Sequence, residues 1–153
     1  MSRAKPAAEL TDHLGYWLRY VSNHVSLAFA RKVEAHGVTV AEWVLLRHLY
    51  DVEAMPPSQL AERMGMSRGA ISKLADRLSA KAFIKRRDDP KDGRAHTLSL
   101  TGAGRSLVPK LAALADANDA EFFEHLKAKD RAKLLQILQD LVAQRGLPKP
   151  PTD

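Results

Sequence analysis

The sequence predicts a mainly α-helical fold with a small two- to three-stranded β-ribbon after its midpoint. Three observations lead there. Apolar residues recur every three or four positions toward both ends of the chain, which is the spacing of one helix face. Between those ends, two short amphipathic segments meet at a glycine. Two runs with strand character, FIKRR and AHTLSL, flank DDPKDG, which is turn chemistry through Pro90 and Asp92-Gly93.

The elements follow in order. Leu10, Leu14, Trp17, Val21, Val25 and Ala28 mark one helix from about residue 9 to His36, ended by Gly37. At 1.5 Å per residue it would be roughly 40 Å long. In VTVAEW, Thr39 can cap the next helix and Glu42 can reach back to complete a capping box, with Val38 and Trp43 as a hydrophobic staple. That helix carries Leu45, Leu46 and Leu49 and stops before Met55-Pro56-Pro57. Two short helices are expected at Ser58–Met64 and Ser67–Ala80. In the strands after them, His96, Leu98 and Leu100 fall on one side, with Thr97 and Ser99 on the other. From Thr101 the pattern is helical again, with a break expected near Pro109 and a second start around Lys127–Asp130. It ends at Gly146, before a frayed tail, LPKPPTD.

Composition narrows the function. With 45% hydrophobic and 27% charged residues the chain is suited to a folded globular state. No apolar run approaches the roughly 18–20 residues needed to cross a bilayer. MSRAKPAAELTDHLG has no apolar core of a signal peptide, so a cytoplasmic location is expected. The absence of cysteine excludes disulfides and thiolate metal sites. Between Ser58 and Thr101 stand ten Lys/Arg against five Asp/Glu, so nearly all of the net charge of +6 lies in that third of the chain. Concentrated positive charge points to a polyanionic partner.

Gly65-Met66-Ser67-Arg68-Gly69 matches the G-x-S-x-G pattern of a serine hydrolase. A nucleophile elbow needs a strand before the serine and a parallel sheet to carry it. The preceding SQLAERMG is instead helical, with Leu60 and Met64 four apart, and no run of parallel strands exists to form such a sheet. Ser67 therefore reads as the cap of the next helix, and no catalytic residue or enzymatic activity is expected. Ile71, Leu74, Ala75 and Leu78 follow the i, i+3, i+4, i+7 spacing and must face inward, toward Leu60, Met64 and Met66. Two short helices, a glycine turn and this spacing describe a helix-turn-helix.

With the inward face set, Arg68, Gly69, Ser72, Lys73, Asp76 and Arg77 face outward. An α-helix fits the major groove of B-DNA, where arginine or lysine can pair with guanine acceptors. Directly after this helix, Lys85, Arg86, Arg87, Lys91 and Arg94 fall on the β-ribbon, which then reads as a wing with its tip in the minor groove. Asp89 or Asp92 could hold the wing's loop through an ion pair with Arg94.

At this point the sequence resembles the MarR family (multiple antibiotic resistance regulator) of winged helix-turn-helix proteins, over about residues 10–145. QLAERMGMSRGAISKLADRLSAKAFIKR resembles the family's helix-turn-helix. DDPKDGR fits its D-x-x-D-x-R wing signature through Asp89, Asp92 and Arg94, and LSLTGAG matches the junction that follows. The departure is Lys81-Ala82 before Phe83, where relatives usually carry a glycine. The resemblance implies a homodimer of interlocked N- and C-terminal helices that reads a pseudo-palindromic operator. It also implies a transcriptional regulator, more often a repressor, commonly released by a small aromatic or phenolic ligand. Independently, the first helix and the last (Leu134, Leu135, Leu138, Leu141, Val142) carry more apolar surface than a small winged domain can cover, which a two-fold contact would bury.

The expected organisation is an N-terminal dimerisation helix (1–37), a winged helix-turn-helix DNA-binding domain (38–101), C-terminal dimerisation helices (102–146) and a tail (147–153). The DNA-contacting set is Ser67, Arg68, Gly69, Ser72, Lys73, Arg77, Arg87, Lys91 and Arg94, with Arg77 and Arg87 over phosphates. His13, Tyr16, Trp17, Tyr20, Trp43 and Arg47 are the candidates for an effector pocket, combining aromatic walls with a partner for a carboxylate. No metal or cofactor is expected: Glu121 and His125 share a helix face, but two ligands do not make a site, and His24 lies on the apolar seam of the first helix. TGAG at Thr101–Gly104 opens a helix but is followed by no βαβ unit, so it reads as a cap and not a dinucleotide loop. Two alternatives remain, a non-specific architectural DNA-binding protein and a winged-helix protein-interaction module.

Overall fold

The computed structural model describes residues 6–89 and 91–149; for residues 89 and 92–94 it describes the backbone alone. The chain does not begin with one long helix. A 3-10 turn, Leu10–Asp12, is separated from α1 (Leu14–Glu34) by His13 in extended conformation. The cause is local: the Asp12 carboxylate accepts from the Glu9 N–H at 3.0 Å and the Trp17 indole N–H donates to the Thr11 carbonyl at 2.9 Å. These bonds satisfy the turn by itself, and α1 is correspondingly shorter, roughly 32 Å.

Helix α2 (Val40–Tyr50) starts where Thr39 Oγ1 accepts from the Glu42 N–H at 3.2 Å. The expected reciprocal half of the capping box has a different outcome. The Glu42 side chain, only 1% exposed, accepts from Lys81 Nζ at 2.7 Å, and Lys81 also donates to the Gly37 carbonyl at 2.8 Å. An ammonium within reach outcompetes a backbone N–H for a buried carboxylate. The consequence is a pin between the α1–α2 corner and the end of α4.

Helix α3 (Pro57–Met64) begins with proline in its first turn and ends at Gly65 in the left-handed region, φ 63°. Helix α4 (Arg68–Ala80) starts where Ser67 Oγ accepts from the Ala70 N–H at 3.1 Å. Ser67 thus lies between two helices and caps the second. Ile71, Leu74, Ala75 and Leu78 are buried against Leu60, Ala61 and Met64, as the spacing requires.

Strands β1 (Ile84–Asp89) and β2 (Asp92–Leu100) form an antiparallel ribbon, registered from Ile84↔Leu100 to Asp88↔His96. Met55 adds a single-residue third rung through two backbone bonds to Leu98. Helix α5 (Gly102–Phe123) is capped by Thr101, whose Oγ1 accepts from the Gly104 N–H. It passes through Pro109 without the expected break. The proline forfeits one bond, to the Arg105 carbonyl, while the buried Gly104, Val108 and Leu111 hold the helix on either side. Helix α6 (Ala128–Arg145) ends at Gly146, φ 55°.

The core is built by α2, α3, α4, the ribbon and the first half of α5. Helix α1 contributes Val33 alone to it, and among the described residues α6 contributes none. Leu14, Trp17, Leu18, Val21 and Leu27 on α1, and Leu135, Ile137, Leu138, Leu141 and Val142 on α6, stand exposed on the single chain.

Candidate nucleic-acid interface

The inward stripe of α4 leaves its other face in solvent: Ser67, Arg68, Gly69, Ser72, Lys73, Asp76 and Arg77 are all exposed. Arg68, Lys73 and Arg77 have no acidic partner among the described residues, so this charge is not neutralised within the chain. Gly69 is not demanded by internal packing. A methyl group added there would meet nothing nearer than Ser67 Oγ at 4.0 Å, so the position leaves room for an external surface.

The ribbon stands beside α4 and is tied to it. Arg86 Nη2 donates to Asp76 Oδ1 at 2.5 Å, joining β1 to the outward face of α4. Arg87 Nη1 lies 3.5 Å from Glu53 Oε1, joining β1 to the loop after α2. Both acids are well exposed, so neither pair contributes more than about 1 kcal/mol; they orient the ribbon more than they stabilise it. Lys85 and Lys91 are exposed. The side chains of Asp89, Asp92 and Arg94, and with them the expected ion pair at the ribbon's loop, lie outside the described residues.

The effector candidates divide into two groups. His13, Tyr16 and Tyr20 line an open hollow of about 630 Å³ together with Leu10, Arg19 and Asn23. Trp17 adjoins it, its ring edge-on to Tyr16 at 5.2 Å, and Tyr20 lies 5.1 Å from the His24 ring. Trp43 and Arg47 lie elsewhere, on α2. Trp43 packs against the core, and Arg47 pairs with Asp51 at 2.7 Å while its guanidinium sits 5.7 Å from the Tyr50 ring centre. Arg19 and Asn23 were missed, although their i+3 and i+7 spacing from Tyr16 could have found them. At the interface, Ser58, Arg86 and His96 were missed as site residues; only the pairing of ribbon and helix in space brings them together. Glu121, weighed as a metal ligand, is engaged by Lys32 Nζ at 2.6 Å.

An exposed cationic helix backed by an apolar stripe, with a basic ribbon tied to its flank, has counterparts among known proteins. A family model described as MarR family matches residues 36–95, which run from the α1–α2 corner through the helix-turn-helix into the ribbon. Over this stretch the chain is similar to the MarR family. Among MarR-type relatives, the transcriptional repressor MdtR of Bacillus subtilis is 28% identical over 137 residues, covering 90% of this chain and 88% of the repressor. A crystal structure of a probable transcriptional regulator from Pseudomonas aeruginosa superimposes with a TM-score of 0.75 at 28% identity, covering 87% of this chain and 99% of that one. The fold is also that of a cysteine-to-serine mutant of Escherichia coli MarR solved with operator DNA, with TM-score 0.75, 22% identity, and coverage of 84% and 93%. The fold shared with these structures is a winged helix, in which α4 and the ribbon are the two tied elements.

Proposed function

We propose that this chain is a MarR-type, dimeric, sequence-specific DNA-binding transcriptional repressor that a small aromatic ligand releases from its operator. The observation that carries the reading is the outward face of α4, where Arg68, Lys73 and Arg77 stand exposed while the apolar stripe is buried. In this reading α4 enters the major groove, with Ser67, Arg68, Gly69, Ser72 and Lys73 nearest the bases or backbone. Arg77 and Arg87 lie over phosphates, Lys91 follows the backbone, and Arg94 reaches the minor groove. MarR's capture on operator DNA and MdtR's description as a repressor support carrying the same role to this chain.

Dimerisation is supported by the uncovered leucines of α1 and α6, which a two-fold axis would bury against their equivalents. Release by an aromatic ligand is supported by the hollow at the start of α1, where His13, Tyr16 and Tyr20 supply ring faces and Arg19 a cation for a carboxylate. A ligand there acts only if it binds one arrangement of the two subunits better than the other.

The test is selection of bound fragments from genomic DNA. A shared inverted repeat supports the regulator; capture without a common sequence identifies an architectural protein. On the selected duplex, affinity is expected to fall log-linearly with salt, and a flat response would favour a protein-interaction module. Arg94→Ala is expected to weaken operator binding by at least about 1 kcal/mol; unchanged affinity removes the wing tip from the mechanism.

A further inference from the structure

Between α4 and the ribbon lies an open trough of about 520 Å³, with Arg68 and Ser72 on its helix wall, Arg86 and His96 on its ribbon wall, and Ser58 at one end. The ribbon wall is set by strand alternation. Ile84, Arg86 and Asp88 share one face of β1 and stand opposite Leu100, Leu98 and His96. Ile84, Leu98 and Leu100 of that row are buried in the core, so Arg86 and His96 continue the same row past its edge. Asp76 occupies one of the five guanidinium donors of Arg86 and holds it at the wall.

A helix in the major groove and a ribbon tip in the adjacent minor groove are separated by one sugar–phosphate strand, the wall common to both grooves. That strand has to pass between α4 and the ribbon. We infer that the trough seats this strand, with Arg86 and His96 as phosphate-contacting residues on its ribbon side. The inference rests on the DNA-binding reading and adds to it two residues and a location. Contacts to phosphate carry no sequence information, so both residues contribute equally to operator and random duplexes.

The experiment compares full-length wild type, Arg86→Gln and His96→Gln by fluorescence anisotropy, on a selected inverted-repeat duplex and on a scrambled one. If wild type binds neither duplex, the DNA-binding reading itself fails. Where wild type binds, Arg86→Gln is expected to weaken both duplexes by about the same factor, roughly tenfold, and to make the slope of log affinity against log salt shallower by about 1.8, about 0.9 for each subunit of the dimer. His96→Gln is expected to weaken both duplexes by a common and smaller factor, about threefold. Replacing one phosphate per half-site by methylphosphonate should cost wild type affinity and cost Arg86→Gln none. The inference is overturned if both variants keep the wild-type affinity and salt slope, or if the Arg86→Gln loss is confined to the operator. Melting temperatures verify folding; should Arg86→Gln fail to fold, the loss of His96→Gln on both duplexes decides.

Discussion

Ala82 holds a methyl group in the left-handed region, φ 63°, at the turn from α4 into β1. For a residue with a Cβ this conformation costs about 1–2 kcal/mol, and it is sustained because Thr101 donates its hydroxyl to the Ala82 carbonyl at 2.6 Å. Ala82→Gly is therefore expected to stabilise the fold by about 0.5–1 kcal/mol after the greater unfolded-state entropy of glycine is subtracted, read as a higher urea midpoint at unchanged slope. Gly104 presents the reverse case. A Cβ there would land on the Phe83 carbonyl oxygen, which is backbone and cannot step aside, so Gly104→Ala is expected to lower stability by at least about 2 kcal/mol in the same assay. The first of these positions was legible in the sequence, because Lys81-Ala82 stands where relatives carry glycine. The second was legible only as part of a cap, since its reason is an approach between residues distant in the chain.

Helix α4 was readable as an element because the residues of α3 that it packs on, Leu60, Ala61 and Met64, stand just before Ser67, and its own apolar stripe repeats at helical spacing. Elements whose limits depend on single polar contacts were not. The Asp12 and Trp17 bonds detach the first turn from α1, and packing on both sides carries α5 through Pro109, where a local rule predicts a break. The Glu42–Lys81 pin belongs to this class. Its carboxylate is buried and its ammonium partly exposed, so removing the ammonium strands a charge away from water. Lys81→Met is expected to cost roughly 2 kcal/mol, and Glu42→Gln in the Lys81→Met background to recover most of it; thermal melts of the single and double variants measure both. If the double variant is no more stable than Lys81→Met, the buried charge is not the cause.

Across the whole molecule, the apolar faces of α1 and α6 are the largest feature a single chain leaves uncovered, and their amphipathic spacing announced them. Leu135→Glu with Leu138→Glu is expected to yield monomers by sedimentation while the winged unit still melts cooperatively, since neither residue belongs to its core. Acid sensitivity is a second property at this scale, and nothing in the sequence disclosed it. Burial, and then the positive charges of Lys149, Arg63 and Arg47, hold the His48 imidazole below its ordinary pKa. Lys149 is brought there by its bond to the Arg63 carbonyl. The unfolded chain takes up a proton near pH 6.5 that the folded one resists, so stability is full above that pH and declines as pH falls through and below it. Urea titrations between pH 8 and pH 5 should show the decline, and His48→Gln should flatten it. The pin at Lys81 has a mechanical meaning as well. It ties the corner at Gly37 to the end of α4, so a tilt of α1 would be carried to that helix. In the proposed two-fold pair joined through α1, a few degrees at the seam would become a change in the separation of the two α4 helices. On the proposed reading, that separation has to match one helical repeat of the duplex, about 34 Å.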